Sequence, residues 1–505
     1  FTQSVARLQG HQVLAINRGE KEGILKVSIT LDREQALPLL RRAVVKPGSA
    51  AMEFVKSAAE DAYDRLIFPS LEREVRNQLT EQADEGAIGQ FALNLKPLLM
   101  QPPVKGKVTM GLDPGYRMGC KVAVVDGTGK VLDTAVVYPT YGERQKNEAI
   151  AALATLIKKH GVEHIAIGNG TASRESERLI AGILDGRADC GWYIVSEAGA
   201  SVYSASPLAA EEFPDLDATL RSAVSIARRV QDPLAELVKI DPRSIGVGQY
   251  QHDIDQKKLT HALDGVVEDC VNHVGVDLNT ASVSLLSHVA GVTPQLAKNI
   301  VAYRDEAGNY RTRKALLKVP KLGPKTFEQC AGSLRIADGD EPLDNTQVHP
   351  ESYAGVRAMA ELFDCPPSPA LVEKARAAMP AAELAERLNL GPATLADILD
   401  ALAKPGRDPR DDLPQPLLSH DLLELEDLEP GMELEGTVTN IAAFGAFVDI
   451  GLHENGLVHI SKLSDRFVKD PLTVVRVGQI VRVKVLDVDK QRRRISLSMK
   501  GVKQP

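Results

Sequence analysis

Between residues 431 and 500 the chain reads "GMELEGTVTNI", "FGAFVDI", "GLVHIS", "GQIVRVKVLDVD" and "RISLSMK", five short runs in which apolar residues recur at alternate positions. Strands this short and this close in sequence have few ways to hide an apolar face. Curling into a small closed barrel does so, and it removes the adhesive edges of an open sheet. The barrel accounts only for the C-terminal part of 505 residues, a length that accommodates several separate cores.

Upstream, the sequence falls into four regions. Residues 1–103 combine helical patterns with a strand-like run, "EGILKVSITL", and are expected to form an α-helical scaffold ending in the linker "QPPVKGK". Residues 104–240 supply β-branched runs, a "DGTG" hairpin turn at 126–129 and then strands alternating with helices, which predicts an α/β sheet domain. Residues 241–337 are helical, with turns built on glycine, Thr-Pro and Gly-Pro. Residues 338–430 hold two acidic helical stretches and the Pro-rich linker "KPGRDPRDDLPQP". The expected fold class is multidomain and mainly α, with one α/β domain and a C-terminal all-β barrel.

No apolar stretch approaches the roughly 18 residues a membrane span needs, and no signal-peptide pattern opens the chain. A cytoplasmic location with no membrane partner is expected. The chain begins at Phe1 instead of methionine, so an N-terminally incomplete chain is expected as well. Cys120, Cys190, Cys270, Cys330 and Cys365 are scattered, without a CxxC pair or a histidine at ligand spacing. They predict buried thiols in a reducing compartment, no metal site and no cofactor.

The net charge of −8 is unevenly spread. Residues 280–336 carry nine Lys/Arg against three Asp/Glu, residues 338–430 seven against twenty, and residues 431–505 twelve against eight. A phosphate backbone meets a local face of a protein, so two basic modules flanking an acidic one are compatible with a nucleic-acid partner.

In "GLDPGYRMG", residues 111–119, Asp113 ends an apolar run; Glu197 ends a later one, "WYIVSE". Both are expected at one edge of the sheet, where a two-metal nuclease would place its carboxylates. A turn-forming Asp before Pro114-Gly115 explains Asp113 equally well. The pattern resembles the RNase H-like fold of the RuvC resolvase and YqgF families, which take a further acid from a later helix. Here that helix is "DLDATLRSAVSIARRVQDPL", and Arg221 is expected at the acid's position with Asp217 one turn away. A guanidinium would repel the second cation. The expectation is a retained fold with a vestigial site at Asp113 and Glu197, no catalytic residues and no bound metal.

"LLSHVAGVTPQLAKNIVAYR" and "LLKVPKLGPKTFEQCAGSLRI" share one plan: a helix, a turn centred on Gly291 or Gly323, and a second helix opening with Pro294 or Pro324. Proline suits the first helical position, and the free N–H groups at a helix start form an anion site. The two stretches resemble a tandem helix-hairpin-helix module. Gly291, Thr293, Lys298, Gly323, Lys325, Arg311 and Arg313 are the candidate backbone-phosphate contacts, within a field to which Arg304, Lys314 and Lys321 add.

The C-terminal runs resemble the S1-type RNA-binding OB-fold over its full length. Carrying that family's positions across, Phe444 and Phe447 are the expected stacking residues, His459 lies beside them, and Asp489 with Arg493 or Arg494 completes the face. Strict alternation would put Phe444 and Phe447 on opposite faces unless the chain bends near Gly445.

Taken in order, these regions, with "HQVLAINRGEKEG", "SEAGASVYSAS" and "IGVGQYQHDID", resemble the Tex family of bacterial transcription accessory proteins, whose members carry a further N-terminal helical region. The resemblance implies a non-enzymatic factor that binds RNA, DNA or both and works with RNA polymerase or the transcription machinery. Two other classes are weighed against it: a Mg²⁺- or Mn²⁺-dependent structure-selective nuclease using Asp113 and Glu197, and a ribosome- or RNA-associated scaffold.

Overall fold

The computed structural model describes residues 1–505 except 186, 188, 247, 249, 414, 420–424 and 453. Of the stretches quoted above, Val247, Gln249 and Pro414 therefore lie outside the described residues. The chain divides into two compact units, one made of 1–93 with 247–263 and the other of 94–246 with 264–505.

The first unit is helical. Gly10–Lys21, Arg33–Val44, Met52–Ala62 and the start of Phe68–Leu99 bury Val13, Leu14, Leu37, Ala59 and Phe91. Arg18 pairs with Asp253 and stacks over the Tyr250 ring at 4.5 Å. The run "EGILKVSITL", expected as a strand, forms none: Ile24, Leu25 and Leu31 are exposed. The N–H of Ile29 donates to Glu72 Oε1 at 2.7 Å instead of to a neighbouring strand. A β-branched run with nothing to pair against stays irregular.

The second unit opens with a five-stranded sheet, β1 (Thr109–Asp113), β2 (Cys120–Val125), β3 (Val131–Val137), β4 (His164–Gly168) and β5 (Gly191–Val195), in the order β3-β2-β1-β4-β5. The first three strands form an antiparallel meander through the 126–129 turn, and β1, β4 and β5 run parallel. In that turn Asp126 Oδ1 accepts from the Thr128 and Lys130 N–H groups at 2.8 and 3.0 Å, the local bonding that favours Asp in tight turns. Helices Glu143–His160 and Ser173–Leu184 cover one face around Met110, Leu112, Leu153, Ile157 and Ile180. Helix Ala218–Gln231 covers the other, packing Ala223, Val224 and Ala227 on Ala123 and Val125. Its backbone rests directly on β1, since a Cβ on Gly111 would overlap the Ala223 carbonyl oxygen.

A short parallel pair, β6 (Val276–Asp277) and β7 (Leu334–Arg335), brackets the helical hairpins. Among the described residues the acidic region forms four α-helices, Tyr353–Leu362, Pro369–Ala378, Ala381–Arg387 and Pro392–Ala403, around a core of Val356, Met359, Leu371, Leu395 and Leu399. The Pro-rich stretch after it is pinned. Arg410, 2% exposed, donates to Asp232 at 2.8 Å and to Asp408 at 2.8 and 2.9 Å. Ser419 then exchanges backbone hydrogen bonds of 2.9 and 3.0 Å with Trp192 on the edge strand β5.

The C-terminal strands, β8 (Glu433–Ala442), β9 (Gly445–Asp449), β10 (Gly456–His459), β11 (Ile480–Asp489) and β12 (Arg494–Ser498), close into the expected barrel, with neighbours in the order β10-β12-β11-β8-β9. Val438, Val448, Val458, Val481, Val483 and Leu497 fill it. No helix among the described residues is long and apolar enough to cross a membrane.

Candidate nucleic-acid interface

The barrel face is organised by Gly445. Its φ of 154° lies where side chains are rare, and a Cβ there would overlap the Val458 carbonyl oxygen. The chain bends at that point, so Phe444 in the turn and Phe447 on β9 come to the same side. Their rings meet edge to face, 6.1 Å between centroids at 86°, a favoured aromatic geometry. Phe444 remains 51% exposed. The opposite-face arrangement that strict alternation would give is thereby overturned.

His459 sits across from Gly445 in the β9–β10 register, exposed, with Nδ1 2.9 Å from Ser461 Oγ. Phe447 neighbours Leu457, which neighbours Ser496, and Arg494 follows two residues away on β12 and is exposed. Asp489 accepts from the N–H groups of Gln491 and Arg492 at 3.1 and 2.9 Å, which organises the turn before β12. Arg493 takes a left-handed conformation and pairs with Glu454 at 2.6 Å. Of the two arginines, Arg494 is the one on a strand and clear of an ion pair among the described residues.

The two hairpins repeat one turn conformation in a register that differs from the sequence expectation. Gly291, Thr293 and Pro294 correspond to Lys321, Gly323 and Pro324: Gly291 and Lys321 have φ of 76° and 69°, while Thr293 and Gly323 cap the following helices. The residue equivalent to Gly291 is thus Lys321, not Gly323. The turns also hold each other. Asn299, five residues after Pro294, donates to the Pro320 carbonyl at 2.9 Å, and Gln329, five after Pro324, lies against Gly291. Each turn leads into a helix start, the element that offers free N–H groups to anions.

Lys298, Lys314, Lys321 and Lys325 are exposed and have no ion-pair partner among the described residues. Arg311 is exposed but bonded to Asp340 at 2.6 Å. Arg313 is a correction. It is 1% exposed and donates to the carbonyls of Leu334, Val348 and Thr346 and to the Tyr353 hydroxyl at 2.6–2.8 Å. Its charge is consumed in holding the hairpins to the following region, and no phosphate reaches it. Arg304 is similarly engaged, with the Leu278 and Ala281 carbonyls at 3.1 and 3.0 Å.

A third turn of the same kind escaped sequence reading. Asn389 (φ 52°), Leu390, Gly391 and Pro392 repeat the pattern of Lys321 to Pro324 inside the acidic region, where Gly391 caps helix Pro392–Ala403. Its Leu-Gly-Pro signature was legible, masked by the surrounding acids.

At the sheet edge, Asp113 ends β1, and Glu197 lies two residues beyond the end of β5. The residue brought against Asp113 from helix Ala218–Gln231 is Ser222, whose Oγ donates to Asp113 Oδ2. Arg221, expected there, turns away to the Phe213 and Ser204 carbonyls at 3.2 and 3.4 Å. Asp217 explains the offset. It is the helix N-cap, accepting from Thr219 and Leu220 N–H at 2.8 and 3.1 Å, and it sets the phase that points position 222 at β1.

Glu197 lies over Gly168 and Gly170, where a Cβ would collide with its carboxylate. Its Oε2 is buried without a hydrogen-bond partner. Burial, and after it the Asp113 carboxylate, push its carboxyl up from the usual range. Among the described residues no group of three or more His, Cys, Asp or Glu is placed to hold a metal ion. Two carboxylates and a serine do not fit a two-metal centre, which needs at least a third acid.

Known families match along the chain: a Tex central region-like segment at 1–91, a Tex protein YqgF-like domain at 107–231, a helix-hairpin-helix motif at 271–335, an HHH domain at 341–410 and an S1 RNA binding domain at 427–500. The chain is 52% identical over 505 residues to "Uncharacterized protein YdcI" of Bacillus subtilis (strain 168), covering 99% of this chain and 70% of that one. It is 51% identical over 509 residues to "Transcriptional accessory protein Tex" of Neisseria gonorrhoeae, covering 99% and 66%. To "Protein YhgF" of Escherichia coli (strain K12) it is 49% identical over 516 residues, covering 100% and 66%. The chain thus spans about two thirds of the length of these relatives, and on these matches it belongs to the Tex family.

Proposed function

We propose that this chain is a non-enzymatic, nucleic-acid-binding accessory factor of transcription. The S1-type barrel holds RNA or another unpaired strand, and the tandem hairpins hold backbone phosphates. The observation that carries the reading is the Phe444–Phe447 pair, raised to one outward side by Gly445, with His459 paired across from Gly445 and Arg494 exposed on β12. Aromatic faces of this kind bind bases without regard to sequence, at about 1 to 3 kcal/mol per stacked base. The exposed lysines of the hairpins supply the charge that a phosphate backbone needs. The link to the transcription machinery, and to RNA polymerase within it, rests on the name of the Neisseria gonorrhoeae relative.

Fluorescence anisotropy of labelled single-stranded RNA over a salt series tests the division of labour. Phe444→Ala with Phe447→Ala should weaken binding while leaving the salt slope nearly unchanged. Alanines at Lys298, Lys321 and Lys325 should flatten the slope by roughly 0.7 to 0.9 for each phosphate no longer neutralised. Equal effects on slope from the two sets would count against it. The competing nuclease reading is weakened by Ser222 in the third acid's place. Cleavage of branched DNA in Mg²⁺ or Mn²⁺, abolished by Asp113→Asn, would overturn the non-enzymatic reading. Co-sedimentation with ribosomes in place of co-purification with polymerase would favour the scaffold.

A further inference from the structure

Phe467 is 94% exposed, more than any other large apolar side chain among the described residues. It stands in the barrel loop "KLSDRFVK", residues 462–469. Both ends of the excursion are anchored: Leu463 is buried in the barrel core and Val468 packs against it. The residues between them leave the core. Lys462, Arg466 and Lys469 are exposed and have no ion-pair partner among the described residues, against one acid, Asp465. No aromatic ring or cation stands over the Phe467 ring among the described residues.

The loop continues directly from the aromatic face. The Ile460 N–H donates to the Phe444 carbonyl at 2.8 Å, so the chain leaves His459 alongside Phe444 and makes one 3₁₀ turn through Ile460–Lys462, five residues before Phe467. A bare aromatic between cations, in the loop that leaves a stacking face, has the composition of a base platform: the π face for the base, the cations for the phosphates on either side. An apolar protein partner would be served by a wider uncharged patch.

We propose that Phe467, with Arg466 and Lys469, is a further stacking platform that extends the path of a single RNA strand beyond Phe444 and Phe447. The proposal rests on the barrel being the single-strand site. Phe467 touches no core, so Phe467→Ala should leave the melting temperature unchanged while weakening polyuridine binding about five- to a hundredfold.

Phe467→Trp gives a direct readout, because the chain's one natural tryptophan, Trp192, is fully buried. Its added indole emission should be quenched by polyuridine with the midpoint that anisotropy gives. Unchanged emission and unchanged Phe467→Ala affinity, with binding otherwise intact, would overturn the platform and leave the barrel reading standing. Equal quenching by duplex DNA would overturn the choice of an unpaired strand. Absence of polyuridine binding by the unsubstituted protein would overturn the barrel reading, and the platform with it.

Discussion

Ser222 Oγ donates a hydrogen bond to Asp113 Oδ2 across the junction of helix Ala218–Gln231 with β1. A hydroxyl there gives Asp113 a hydrogen-bond donor without adding an acid from the helix, and leaves Glu197 as the other carboxylate at this edge. Restoring an acid should undo this. Ser222→Asp is expected to lower the melting temperature in EDTA, because like charges meet in a half-buried site, and Mn²⁺ should recover it. The unsubstituted protein should show no Mn²⁺-dependent shift. Thermal melting with and without Mn²⁺ decides, and a shift already present without the substitution sinks the vestigial-site reading.

Glu197 gives that site a pH signature. Its carboxyl is pushed up by burial and then by Asp113, so the folded state holds the proton more tightly than the unfolded chain does. The sign follows: the group costs nothing in acid, where both states are protonated, and destabilises as pH rises through the ordinary carboxylate range. Glu197→Gln should therefore raise the melting temperature near neutrality, with the difference vanishing near pH 4. A variant less stable than its parent at neutral pH would show that the charge is useful to the fold.

Arg410 should behave in the opposite sense. Burial pushes the Asp408 carboxyl up, but the Arg410 guanidinium, with Lys105 at 2.9 Å, outweighs it and holds Asp408 well below the usual range. Its contribution is present near neutrality and is lost as pH falls below about 4 toward the folded-state value. Arg410→Met leaves Asp232 and Asp408 without their shared cation and should cost about 3 to 5 kcal/mol. Urea denaturation gives the magnitude. Proteolysis should then cut first between residues 404 and 413, around the Arg410 anchor to Asp232.

Arg313 and Lys325 look alike to a charge count and should differ in every assay. Arg313→Met strips the donor from three carbonyls and the Tyr353 hydroxyl and should cost about 3 kcal/mol or more of stability. The salt slope of nucleic-acid binding by the protein that remains folded should not change. Lys325→Ala should leave stability within about 0.5 kcal/mol and flatten the slope. A flattened slope in a stable Arg313→Met would restore Arg313 to the phosphate face.

That pair shows what the sequence could and could not reveal. Period-two alternation made the barrel legible, because a strand advertises its buried face in its own pattern, and the Thr-Pro and Gly-Pro turns revealed the hairpins through residues few other conformations favour. Burial of an arginine depends on carbonyls more than twenty residues away, and nothing local to Arg313 encodes them. Lys321 hid the hairpin register because a lysine in a left-handed turn defeats a search for glycine. Ser222 was missed by one residue, since helix phase follows from the cap at Asp217 and was read from the charge at Arg221.

Gly445 offers the sharpest test of the interface, because one atom separates two arrangements of the same two rings. A Cβ at this position would overlap the Val458 carbonyl oxygen, at a φ of 154° that side chains rarely adopt. Gly445→Ala must therefore relax β9 away from β10 or flatten the bend, at a cost of about 1 to 3 kcal/mol. Flattening carries Phe444 and Phe447 toward opposite faces. Single-strand affinity should then fall to about that of the Phe444→Ala, Phe447→Ala variant although both rings are still in the chain, and adding the two alanines to Gly445→Ala should weaken it little further. Additive losses would mean that each ring binds independently of the other and that the bend at Gly445 serves only the barrel.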